Sequence, residues 1–75
     1  MTKQTITIST AVHAITLEVW YERKKNRYHL DDWKVIEAYD TEIHKKVDAR
    51  KVELMVAKDP AFLANVRREL RRLKA

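Results

Sequence analysis

The chain has no cysteine and no glycine, and Pro60 is its one proline. Without cysteine there is no disulfide and no thiolate-held metal to staple a small fold. Without glycine there is no glycine-rich phosphate loop and no dinucleotide-binding fingerprint. Tight hairpin turns also lose their favoured residue, which counts against an all-β domain full of them. No apolar run approaches the roughly 20 residues that cross a bilayer as a helix. Met1–Gln4 lead into threonines rather than an apolar segment, so no secretory leader is expected. A reducing, cytoplasmic setting fits the lack of cysteine.

At 75 residues the chain is one small domain. A domain this size buries little of its unfolded surface, so a second copy is the expected source of further burial. The net charge of +5 is uneven. Residues 1–30 hold five basic side chains against two acidic ones, a net of +3. Residues 31–59 hold six against eight, a net of −2. Residues 60–75 hold five against one, a net of +4. Two positive blocks favour polyanionic partners.

QTITIST, residues 4–10, alternates Ile6 and Ile8 with Thr5, Thr7 and Ser9. Period two with β-branched residues predicts a short strand with one buried face. The next segment has two readings. Ile15, Leu17, Val19 and Tyr21 also alternate, which would make a hairpin with the first strand. The connection TAVHA, however, lacks Gly, Asn, Asp and Pro. The other reading starts a helix at Ser9 or Thr10, with Val12, Ile15, Val19 and Trp20 along one face. The helix is favoured, and the strand would then pair with its copy in a second chain.

KKNRYHLD, residues 24–31, breaks the apolar pattern, and Asn26 suits a left-handed turn. Asp31 reads as an N-cap for a long helix, with Trp33, Ile36, Tyr39, Ile43, Val47 and Leu54 at helical spacing. Val52, Met55 and Val56 widen its apolar face. Asp59-Pro60 then marks the start of a last helix with Phe62, Leu63, Val66, Leu70 and Leu73 as its stripe. The expected fold is mainly α: a short N-terminal strand, then about three helices. The alternative is an α+β fold with an N-terminal β-hairpin packed on two helices.

Asp40, His44 and Asp48 would stack along one face of the long helix, a spacing that can orient an imidazole or hold a metal. Lys45, Lys46 and Arg50 lie close enough to make the same residues a solvated ion-pair face. No nucleophile with a paired base is recognisable, so no catalytic residue, metal or cofactor is expected.

The basic blocks point elsewhere. Arg23, Lys24, Lys25 and Arg27 stand among Tyr28 and His29, combining charge for phosphate with rings for stacking. Arg67, Arg68, Arg71, Arg72 and Lys74 line the last helix, where they could clamp phosphates or lie on an anionic membrane. Trp20 and Trp33 read as core or interface anchors.

QTITIS followed by two helices resembles the ribbon-helix-helix family of DNA-binding proteins. That resemblance implies strands paired across a dimer, with Lys3 or Gln4, Thr5 and Thr7 facing the major groove. Ile6 and Ile8 would face the dimer core. The chain departs from the family in lacking a glycine-containing turn and in adding a helix. KNRYHLDDWKVIEAYDTEIH is also similar to the Hha/YmoA family of small helical modulators, which bind H-NS-type nucleoid proteins. Lys25, Asn26, Tyr28, Leu30, Tyr39 and His44 fall in matching register. The expected function is that of a small basic DNA-binding or nucleoprotein-associated regulator, dimeric and not an enzyme. The alternative is a protein-interaction module or inhibitor, phage- or plasmid-encoded, that binds an acidic protein without touching nucleic acid.

Overall fold

Ile6 and Ile8 do alternate with exposed threonines, and their partner strand lies in the same chain. The computed structural model describes residues 2–25 and 27–74, with only the backbone of Lys74. β1 (Thr2–Ser9) pairs antiparallel with β2 (His13–Lys24), placing Ile6 opposite Leu17 and Ile8 opposite Ile15. β2 pairs antiparallel with β3 (Arg27–Asp40), and β3 with the short β4 (Lys45–Val47). The strands lie in the order β1-β2-β3-β4. Two helices follow, α1 (Ala49–Val56) and α2 (Pro60–Lys74).

The mainly α expectation is therefore overturned. The chain is a four-stranded antiparallel meander with two helices packed on one face. The first expected helix is β2, whose alternation buries Ile15, Leu17, Val19 and Tyr21. Thr10 supplies what the connection lacked in turn residues. Its N–H donates to the His13 carbonyl at 2.8 Å, and its Oγ1 accepts from the His13 N–H at 3.0 Å. The ribbon-helix-helix resemblance falls with the pairing: the strand is completed in cis, and no helix follows it.

The second expected helix is β3, a four-residue turn, β4 and α1. Only part of its supposed stripe reaches the core: Trp33, Val47, Val52 and Val56 do, whereas Ile36, Ile43, Leu54 and Met55 are 43%, 58%, 61% and 52% exposed. Two bulges explain the misreading. The pairing with β2 shifts between Thr16 and Leu17 and between Trp20 and Tyr21, leaving Ile36 and Asp31 without opposite residues. Each bulge moves later side chains to the other face. The core-facing residues of β3 become Tyr28, Leu30, Trp33, Val35 and Ala38. From Leu30 on, their spacing of three, two and three imitates a helix. The Hha/YmoA resemblance, which spans this segment, loses its helical basis as well.

One core joins the layers. Ile6, Ile8, Ile15, Leu17, Val19, Tyr21, Val35 and Ala38 from the sheet meet Val52, Val56, Phe62, Val66 and Leu70 from the helices. Trp33 packs its ring on Phe62 at a centroid distance of 5.6 Å. α2 begins as Asp59-Pro60 predicted, with Asp59 Oδ1 accepting from the Ala61 N–H at 2.9 Å. Asp48, not Asp31, caps the preceding helix, accepting from the Arg50 N–H at 2.9 Å.

Candidate nucleic-acid interface

β1 reaches only as far as Tyr21, which faces Thr2. β2 and β3 continue together past that point. Glu22 pairs with His29, Arg23 with Tyr28 and Lys24 with Arg27. The result is a two-stranded arm projecting from a molecule of 42 × 20 × 19 Å. At its tip Lys25 is left-handed, with φ of 56°. Such a conformation costs a residue with a Cβ about 1 kcal/mol. Asn26, the residue expected to make the turn, lies outside the described residues.

Alternation sorts the arm's side chains. Lys24, Arg27 and His29 share one face with Glu22, continuous with the uncovered face of the sheet. Arg23 and Tyr28 share the face that leads to the core. Tyr28 stands edge-on to Tyr21 at 5.5 Å, so its ring braces the root of the arm. Arg23, Lys24, Lys25 and Arg27 are all exposed. Lys24 stands 3.6 Å from Glu22, and His29 stands 3.5 Å from Asp31. Among the described residues Arg23, Lys25 and Arg27 have no acidic partner within ion-pair distance. Lys24, Lys25, Arg27, Tyr28 and His29 together line an open groove of about 750 Å³ at the tip.

The second basic block does not join this one. α2 buries Phe62, Val66 and Leu70 and leaves Arg67, Arg68, Arg71 and Arg72 exposed. Helical spacing splits these arginines. Arg67 and Arg71 lie on one face, whereas Arg68 and Arg72 lie on the next, beside Thr7, Ile8 and Ser9 of β1. That end of β1 pairs with Ala14, ten residues from Lys24 along β2. At about 3.3 Å per residue, the two basic groups stand roughly 30 Å apart. Arg72 donates from Nε to Glu69 Oε1 at 3.1 Å. This hydrogen bond, helped by the charge, holds the Glu69 carboxyl below the usual carboxylate range. It holds the Arg72 guanidinium above its ordinary value.

Lys3, Thr5 and Thr7 are exposed on β1, on the sheet face without helices. Lys3 Nζ is 2.8 Å from Glu18 Oε2, and Thr7 Oγ1 is 3.4 Å from Thr16 Oγ1. The groove contact expected of them rested on strands paired between two chains, whereas β1 pairs with β2 of the same chain. Trp20 shares this uncovered face, opposite Lys3 and Asp32, so it is not a core anchor.

Asp40, His44 and Asp48 do not stack on a helix. Asp40 ends β3 and accepts from the N–H groups of Glu42 and Ile43 at 2.9 and 3.3 Å. His44 closes the turn with φ of 56°. Asp48 is spent as the α1 cap. Among the described residues no three His, Asp or Glu side chains come together as a metal site. No helix among them is long and apolar enough to cross a membrane. No protein-family model, no curated protein and no solved structure matches this chain.

Proposed function

We propose that this is a small DNA-binding protein whose contact with duplex DNA is the β2–β3 arm. One observation carries the reading: the arm projects beyond the end of β1 and bears Arg23, Lys24, Lys25 and Arg27, all exposed. A two-stranded antiparallel ribbon fits the major groove, which is about 12 Å wide. The four cations at its tip would meet phosphates on either side, while His29, on the face it shares with Lys24 and Arg27, can be turned toward base edges. Arg67 and Arg71, roughly 30 Å away along the sheet, would add phosphate contacts about one turn of duplex further on.

The protein is then a binding protein rather than an enzyme, a regulator or a component of a nucleoprotein complex. The cytoplasm is where it would meet DNA, and the absence of cysteine suits that compartment. β1 pairs with β2 and the arm is built from β2 and β3 of the same chain, so the proposal is made for a single chain.

The test is fluorescence anisotropy of a labelled random-sequence duplex at several salt concentrations. Four phosphate contacts from the arm give a slope of log affinity against log salt of about −3.6. Replacing Arg23, Lys24, Lys25 and Arg27 with glutamine should remove most of that slope while leaving the circular dichroism spectrum unchanged. If the wild type shows no salt-sensitive affinity, or the variant keeps it, the arm is not a DNA contact.

A further inference from the structure

β1 is an edge strand. Its inner side pairs with β2 over all eight residues without a register break. Its outer side meets no strand among the described residues. Natural edges are blunted by proline, bulges, short length, charged side chains such as lysine, or a covering helix or loop. β1 has no proline and no bulge. Its one charged residue, Lys3, sits near its start and is tied to Glu18 at 2.8 Å. Beside this edge runs a groove of about 540 Å³ between β1 and α2, lined by Thr7, Ile8, Ser9, Asn65, Arg68, Glu69 and Arg72. Asn65, Arg68 and Arg72 follow helical spacing and Glu69 pairs with Arg72, so α2 lays along the edge a polar rail whose unpaired charge is Arg68.

We propose that this edge is a docking site for an extended acidic segment of a partner protein, added to the sheet as a fifth strand against β1. A strand edge alternates N–H donors with carbonyl acceptors, and another extended peptide backbone matches both in register. A phosphate backbone accepts but does not donate, so nucleic acid would leave the β1 carbonyls unpaired. A second copy of this chain meets a different obstacle. Its β1, TKQTITIS, has no acidic side chain to set opposite Arg68. In an added strand, alternate side chains face the rail, and acidic residues there complement Arg68. The Arg72 guanidinium already has Glu69 as a partner, which leaves Arg68 as the main counter-ion. This inference stands apart from the DNA reading, which rests on the arm at the other end of the sheet.

The probe is a fluorescein-labelled peptide of alternating valine and glutamate, titrated against the whole chain by anisotropy. Controls are a valine–lysine peptide and a valine–glutamate peptide N-methylated at alternate residues. Saturable binding of the first peptide alone is expected, with amide shifts confined to β1 and to Asn65–Arg72 of α2. Arg68→Glu should weaken that binding about tenfold, and Arg67→Glu on the neighbouring face should leave it unchanged. Absence of saturable binding overturns the proposal. So does equal affinity for the N-methylated peptide, which would mean charge without strand pairing. Displacement of the peptide by duplex DNA assigns the groove to nucleic acid. A sedimenting dimer that the peptide dissociates assigns the edge to a second copy. Either outcome overturns the proposal as well.

Discussion

The Val35 N–H donates to Glu53 Oε1 at 2.9 Å, joining the third strand to helix α1. β4 pairs only with Ala38–Asp40, so no strand meets Val35 on that side. A carboxylate from the helix accepts the hydrogen bond that a strand would have accepted. It also fixes α1 against the strand at the bulge. Glu53→Ala leaves a part-buried donor unpaired. A loss of about 1–3 kcal/mol in urea unfolding is expected. Glu53→Gln keeps an acceptor and should recover most of it. Equal losses for both variants would mean that the charge, not the hydrogen bond, matters.

Tyr21 is 3% exposed, and its hydroxyl is buried without a hydrogen-bond partner among the described residues. A buried polar group without a partner is destabilising, whereas the ring packs in the core. Tyr21→Phe should therefore leave the denaturation midpoint unchanged or raise it. Tyr21→Ala should lower stability by about 3–5 kcal/mol, as loss of a large core side chain does. A marked loss in the phenylalanine variant would reveal a hydrogen bond to that hydroxyl.

Lys25 holds a left-handed backbone that glycine would adopt without steric strain. Lys25→Gly should raise stability by up to about 1 kcal/mol. The same change removes one cation from the arm and should make the salt slope for DNA shallower by about 0.9. Thermal unfolding and the anisotropy titration separate the two effects. A fall in stability would show that the glycine's extra unfolded-state freedom exceeds the strain it relieves.

The Glu69–Arg72 pair carries a pH dependence of known sign. The folded state lowers the Glu69 pKa, so the carboxylate's contribution is present above the ordinary carboxylate range. It is lost as pH falls through the lowered value. The stability difference between wild type and Glu69→Gln should be small at neutral pH, because the pair is exposed. It should shrink toward zero in acid. A difference that grows on acidification would contradict the assignment.

Residue pattern alone determined several features. Alternation in TITIS set the buried face of β1, and the same alternation in ITLEVWY made the hairpin legible as one of two readings. Asp59-Pro60 marked the start of α2, because an N-cap side chain and a residue without an N–H are both local requirements. The basic blocks were legible because charge is a property of composition. β3 was not legible. Its bulges at Asp31 and Ile36 exist only in register with β2, and they turn a period of two into spacings of three and two that fit a helix. Distance between the basic blocks was likewise decided by the sheet. It sends the β2–β3 arm one way and packs α2 against the far end of β1, dividing one polyanion-binding expectation into two separate surfaces. The open edge of β1 depends on strand order, which follows from how the side chains of distant segments share one core.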